Sequence, residues 1–294
     1  MQPEILLALS ASSVRPLLLA QDVRCRDIFA VPQFVATDLQ LRGLNLPTDL
    51  LKGFGIPQID RLRDEADRAH CPVLLLTEEE PIDFITRGAE WAKVLDRLKR
   101  LGLAANRLGC PSIAVRVAAP ATDEAFEATA QGVKLALREL DRFELNLLLS
   151  PHAGLTFEAV RLTELIKKIG GFRIGSYPSF AHAYASGDID KTLRTLAPYA
   201  PAIAASVRGF DKDGVHDGYS IEECVDSIRR VGFSNTLSLE FVGTDAGEGA
   251  SDAKKKGKSA KAKQVDIVAE LDIARKLLCE ATAEPEFDLV DEEE

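Results

Sequence analysis

The sequence predicts an α/β barrel of eight parallel strands, and three observations carry that expectation. Strand-like and helix-like segments alternate from one end of the chain to the other, and eight strand candidates are present. Their starts recur about every 33 residues, the length of one strand–helix–strand crossover. Runs such as Pro72-Val-Leu-Leu-Leu76 and Leu145-Asn-Leu-Leu-Leu149 are almost continuously apolar, as strands covered on both faces are. A chain of 294 residues suits one such barrel.

The elements follow in order. The first strand is expected at 4–9, and the stretch after it is unusually long. It runs through Arg15-Pro16-Leu17-Leu18-Leu19-Ala20 and Cys25-Arg26-Asp27 before Val31-Pro32-Gln33-Phe34 resumes a helical pattern. A strand at 42–46 leads to a helix at 57–70, with Pro57 in its first turn. A strand at 72–77 precedes a helix at 87–107, and a strand at 111–118 precedes a helix at 122–141 capped by Thr122. The next pairs are 143–150 with 155–169, and 172–177 with 188–198, the latter helix capped by Asp188. A strand at 201–207 leads to a helix at 220–231, where Ser220 and Glu223 form a capping box. The last pair is 236–242 with 265–282. A doubly wound open sheet is the alternative, but its fingerprint is missing. Gly53-Phe-Gly55 and Gly247-Glu-Gly249 do not sit between a strand and a helix with a further glycine in register.

With 46% hydrophobic and 28% charged residues, the composition is that of a soluble globular protein. No apolar run approaches the roughly 20 residues of a membrane helix, and Met1-Gln2-Pro3-Glu4-Ile5 lacks a basic leader, so a cytoplasmic protein without membrane contact is expected. The five cysteines form no C-x-x-C pair, which leaves zinc ribbons, iron–sulfur sites and disulfide frameworks unsupported. We read residues 1–283 as a single barrel domain. Residues 244–263, with six lysines from 251 onward, form a flexible insertion after the eighth strand, over the carboxyl-end mouth. Residues 284–294 form an acidic, disordered tail. The net charge of −10 argues against nucleic acid as a partner, since phosphate contacts need a basic face.

Five stretches then carry a resemblance. They are Gly109-Cys-Pro-Ser-Ile-Ala-Val-Arg-Val117, Asn146-Leu-Leu-Leu-Ser-Pro-His-Ala-Gly-Leu-Thr156, Ile174-Gly-Ser-Tyr-Pro-Ser-Phe-Ala-His182, Gly209-Phe-Asp-Lys-Asp-Gly214 and Leu237-Ser-Leu-Glu-Phe-Val-Gly243. Together they resemble the xylose isomerase-like TIM barrels, the group that includes sugar phosphate isomerases and epimerases and the endonuclease IV type of repair enzyme. The resemblance implies a TIM barrel and a small sugar-like ligand at its carboxyl-end mouth.

It also implies a divalent metal held by a Glu after the fifth strand, an Asp after the sixth, a His on the seventh and a Glu on the eighth. Here the fifth-strand position reads Ser150-Pro151-His152, and the sixth-strand Asp-x-x-His reads Ser179-Phe180-Ala181-His182. Counting back from Phe210-Asp211 puts Ala204 and Ser206 where the family shows His-x-Lys. Only the eighth-strand acid survives, as Glu240. One carboxylate does not hold a hard cation in the family's way, so no metal is expected there. The alternative is manganese, magnesium or zinc at a displaced His152–His182–Glu240 site. A repair nuclease would need a multi-metal cluster and a basic groove, and neither is present.

The expected site is therefore Glu240 and His182 as base and acid for proton transfer next to a carbonyl, with His152, Arg116, Arg208, Ser150 and Ser179 as ligand-binding groups. Glu240 is expected to pair with Arg208, Arg116 or a histidine, or to take up a proton. Glu78 is a further group placed to reach the pocket. Asp211-Lys-Asp213-Gly214 lacks the sixth-position glycine of a calcium loop and reads as a turn. Ser150 near His152 is no nucleophile elbow. The function classes left are an isomerase or epimerase, or a non-catalytic barrel that binds a ligand or a protein.

Overall fold

The eight expected strands all form, and in a computed structural model they run parallel in the order β6-β5-β4-β3-β2-β1-β8-β7. The structure describes residues 5–211, 214–243 and 266–283. The lysine-rich insertion at 244–263 and the acidic tail at 284–294 lie outside the described residues. The strands are β1 (Leu6–Ser10), β2 (Leu44–Pro47), β3 (Val73–Ile82), β4 (Ser112–Val117), β5 (Asn146–Ser150), β6 (Ile174–Ser176), β7 (Ala202–Val207) and β8 (Thr236–Phe241). The sheet curls until its two outer strands meet. They join through one parallel bridge between Ser179 and Ala204, where the Ala204 N–H donates to the Pro178 carbonyl at 2.9 Å.

The crossovers carry α1 (Arg15–Ala20), α2 (Val31–Thr37), α3 (Ile56–Arg68), α4 (Gly88–Leu108), α5 (Asp123–Leu140), α6 (Ala159–Ile169), α7 (Phe180–Ala185), α8 (Ile189–Leu196), α9 (Ile221–Arg229) and α10 (Ile267–Thr282). Thr122, Asp188 and Ser220 cap their helices as expected, each accepting the backbone N–H three residues on. Among the described residues, no helix is long and apolar enough to cross a membrane.

Two differences from the expected elements matter for the site. Residues 155–158 do not join α6. The Leu155 N–H is held by the Ala119 carbonyl, and the Thr156 hydroxyl bridges the Ser150 and His152 carbonyls, so the helix waits for Glu158 as its cap. The unexpected α7 directly follows β6. Its six residues are too few to show a helical period, yet Ser179 caps it by accepting the His182 N–H at 3.1 Å.

The strand pleat divides the core in two. Along β7, Ile203, Ala205 and Val207 point outward into the layer shared with the helices, while Ala202 and Ala204 join Leu75, Ala114, Leu148 and Tyr177 inside the barrel. The inward positions are mostly small, which leaves room for one large ring. Glycine serves the outer layer in the same way, because Gly132 lets α5 lie against the backbone carbonyl of the fully buried Phe84.

Candidate functional site

Inward alternation decides which polar side chains reach the mouth. On β8 it selects Thr236, Ser238 and Glu240; on β7 it carries the row of Ala202 and Ala204 on to Ser206. The sheet register sets Ser206 opposite Glu240 and Ala204 opposite Ser238. Ala204 therefore lies one pleat below the level of Glu240, and Ser206 is the β7 residue that faces it.

Glu240 is held by hydroxyls. Ser206 donates to its Oε2 at 3.2 Å and Ser12, in the turn after β1, donates to Oε1 at 3.4 Å; Ser12 in turn shares a 2.8 Å hydrogen bond with Ser10. The expected pairing of Glu240 with Arg208, Arg116 or a histidine does not form; its carboxylate oxygens accept from Ser206 and Ser12. The residue is half-buried deep in the mouth. Loss of hydration dominates its chemistry and pushes its carboxyl above the usual carboxylate range, and the Glu79 charge adds to the rise. The Ser206 hydroxyl, Arg116 and Ser12 act against it, without cancelling it.

Beneath Glu240 the barrel is bridged by a polar chain. The Tyr177 ring crosses the interior, and its hydroxyl meets the Asn45 amide at 3.3 Å and the Ser238 hydroxyl at 3.2 Å. Ser238 donates onward to the Ile203 carbonyl at 3.3 Å. Burial raises the Tyr177 phenol well above its ordinary value, so it remains a neutral hydrogen-bonding group. Asn45 Oδ1 is already buried without a partner, so the network tolerates little further loss. Tyr177→Phe is expected to cost about 1–3 kcal/mol in urea unfolding, with part recovered in the double variant carrying Asn45→Leu. Equal midpoints for the single variant and the parent would show that the chain does not stabilise the barrel.

The opposite arc of the mouth belongs to β3, β4 and β5. Arg116 and Ser150 are register partners on one face, and Arg116 donates to the Glu79 carbonyl at 3.2 Å. His152 follows β5 half-exposed, and its imidazole is driven toward the neutral form by burial and by Arg116. Glu78 does not reach the pocket. It lies on the outward face of β3 and pairs with Arg97 of α4 at 3.0 Å, whereas Glu79, one residue on, follows the inward row of Leu75 and faces the mouth. The Glu79 charge is felt by Glu240, by Tyr177 and by Arg15, whose guanidinium is paired with Asp49 on the rim.

The remaining expected residues, Ser179, His182 and Arg208, are engaged away from the Glu240 carboxylate. The Ser179 hydroxyl is engaged as the α7 cap. His182 lies on α7 with Nε2 hydrogen-bonded to the Phe157 carbonyl at 2.8 Å, which requires that nitrogen to carry the proton. Its ring meets Phe157 edge-on. Arg208 lies over the Tyr184 ring at 5.2 Å. His216 pins the turn after β7: its Nε2 accepts the Arg208 N–H and its Nδ1 donates to the Tyr219 carbonyl, both at 2.9 Å. Asp211 and Val215 close that turn, as the sequence suggested.

Sequence reasoning missed Ser10, Ser12, Asn45, Glu79 and Tyr177 as mouth residues. The signal was available in part, since Thr236, Ser238 and Glu240 alternate with leucine and phenylalanine along β8. Among the described residues, no three His, Cys, Asp or Glu side chains converge to hold a metal ion. Of the positions that the resemblance marks for metal ligands, Ser150 and Ser179 carry hydroxyls and Glu240 a carboxylate.

No protein-family model matches the chain, and no curated protein sequence matches it. Solved structures do. An L-ribulose 3-epimerase is 14% identical and superimposes with a TM-score of 0.73, covering 95% of this chain and 94% of that one. D-psicose 3-epimerase with D-tagatose from Clostridium cellulolyticum H10 is 12% identical with a TM-score of 0.69, covering 96% and 98%. The IolI protein with a binding zinc atom is 10% identical with a TM-score of 0.67, again covering 96% and 98%. Such identities speak to architecture, and the chain has the fold of the xylose isomerase-like TIM barrels.

Proposed function

We propose that this barrel binds a small polyhydroxy ligand, a sugar or sugar phosphate, at its carboxyl-end mouth and isomerises or epimerises it without the divalent metal usual in that group. The observation that carries the reading is Glu240, a carboxyl raised toward neutrality and set among the hydroxyls of Ser206 and Ser12. Such a group exchanges a proton with a carbon next to a carbonyl, while hydroxyls and a guanidinium match the oxygens of a sugar. Glu240 moves the proton in this reading. Arg116, His152 and Ser150 hold ligand oxygens, and His182, Ser179 and Arg208 shape the wall. The epimerases that share the fold support it.

The test uses chelator-treated protein in deuterated water with L-ribulose, D-fructose and D-tagatose as probes. Deuterium entering the carbon beside the carbonyl, at a rate lowered by Glu240→Gln, is the expected result. A tight stoichiometric manganese isotherm abolished by Glu240→Gln would overturn the metal-free part. Binding without exchange would instead identify a non-catalytic barrel serving as a ligand- or protein-binding module, a reading favoured by the engagement of Ser179 as a helix cap.

A further inference from the structure

The amino-end face of the barrel, opposite the mouth, carries three cavities. The first, about 340 Å³, lies between Leu6, Arg42 and the end of α10, and Ala283 lines it. The second, about 300 Å³, runs from Asn235 past Tyr199 to Arg173 and Phe172. The third, about 400 Å³, continues from Phe172 and Arg173 to Arg138 and Lys134 of α5. They form one track: the Leu6 N–H donates to the Asn235 carbonyl at 3.1 Å, joining the first to the second, and Phe172 and Arg173 line both the second and the third. Two features of the track are unpartnered. Phe172 is 105% exposed, held out on Gly170 and Gly171 with φ values of +70° and +95°. Among the described residues, no ion pair engages Arg42, Lys134, Arg138 or Lys167, whereas their neighbours Lys168 and Arg173 are paired with Glu127 and Glu144. Lys167 stands 5.8 Å from the centre of the Tyr199 ring, and Asp141 lines the third cavity without an ion pair. Unpaired cations on one face are notable in a chain of net charge −10.

The chain itself supplies the complement. Ala283 is followed by Glu284-Pro-Glu-Phe-Asp-Leu-Val-Asp-Glu-Glu-Glu294, which has seven acids, no base, and Phe287, Leu289 and Val290 set among the charges. The segment starts at the first cavity, because Ala283 lines it. β6 stands three places from β1 around the ring, through β8 and β7, a distance of about 15 Å at about 4.8 Å per strand. Extended chain covers about 3.3 Å per residue, so Phe287 reaches about 13 Å from Ala283 and the acids after it reach further. That matches the order of the track, which offers an aromatic stretch first and cations beyond it. We propose that residues 284–294 dock along the amino-end face, with Phe287 against Tyr199 and Phe172 and the following acids against Arg138 and Lys134. Burial of the rings supplies the hold, and the charges set the direction and make the contact sensitive to salt.

The experiment uses the full chain with the photoreactive substitution Phe287→p-benzoylphenylalanine, irradiated at low salt and mapped by peptide mass spectrometry. Links within one chain to Phe172, Tyr199 or Leu137, at a yield independent of protein concentration, are the expected result. The pair Lys134→Glu and Arg138→Glu, both on exposed helix positions, should lower that yield about fivefold, the scale of two surface charge contacts, and 0.5 M sodium chloride, about that ionic strength, should do the same. Links scattered over the surface or at the mouth overturn the proposal, as does an unchanged yield in the charge-reversed variant. Links between two copies that rise with concentration also overturn it, and make a second chain the occupant of the face. A second readout needs no foreign residue. Cys279, an exposed free thiol, lines the first cavity, and neutral iodoacetamide should alkylate it faster in the charge-reversed variant than in the parent. Equal rates at low salt would overturn docking over that cavity.

Discussion

Gly132→Ala is expected to lower stability by about 3 kcal/mol or more, a larger loss than at most single positions. A methyl group built on Gly132 would stand 2.0 Å from the Phe84 carbonyl oxygen and 2.9 Å from its carbon. Backbone atoms cannot rotate aside, and the Phe84 ring is fully buried, so α5 must lift off the loop after β3. Helix propensity works the other way, favouring alanine by about 1 kcal/mol in a helix interior. The sign of the measured change therefore shows which effect wins. Gly102, on α4, makes the useful comparison, because its close neighbours are the ring edge of Phe143 and a Leu140 methyl, which can shift. Gly102→Ala should cost less. A urea midpoint for Gly132→Ala equal to or above that of the parent would refute the close approach.

Glu240→Gln is expected to separate stability from activity. Because the folded protein holds the Glu240 proton more tightly than the unfolded chain does, ionising this group opposes folding. That cost is fully present above the folded pKa and fades as pH falls through it toward the ordinary carboxylate range. Glutamine keeps the shape and an acceptor for Ser206 while removing the charge. At pH 8 the variant should be more stable than the parent by about 1–3 kcal/mol, the usual scale for a buried polar group freed of its desolvation penalty. Near pH 4 the two should converge. Activity on the ketose probes should fall about 10²–10⁴-fold at the same time. Chemical denaturation at the two pH values decides the matter, and a variant less stable than the parent at pH 8 would show that the serine hydroxyls already stabilise the anion.

The barrel was legible because its cause is local: apolar runs long enough for one strand, separated by capped amphipathic segments, leave few other arrangements. What escaped was set by parity and by proximity. Glu78 and Glu79 are neighbours in the sequence, but the pleat of β3 sends one to Arg97 and the other to the mouth. Counting from Phe210-Asp211 selected Ala204, and the register with β8 moved the facing position to Ser206. The hydroxyls of Ser10 and Ser12 come from the far end of the chain, 228 residues from Glu240 in the case of Ser12, and no spacing rule joins them. Tyr177 was hidden for a different reason. An aromatic residue at the end of an apolar run reads as core, and its hydroxyl gains meaning only when Asn45 and Ser238 surround it.

The closure between β6 and β7 has a consequence for how a bound ligand would be felt. Elsewhere in the sheet neighbouring strands share ladders of two to six paired residues, whereas this junction rests on the single bridge at Ser179 and Ala204. A ring with one thin link is a clasp: opening it there breaks the fewest strand pairings, and the residues on either side, Tyr177 before it and Ser206 beyond it, belong to the mouth. A molecule seated between them would fasten the clasp. Its affinity would then appear less as new contacts than as slower amide exchange at Ala204, far around the ring from Glu79.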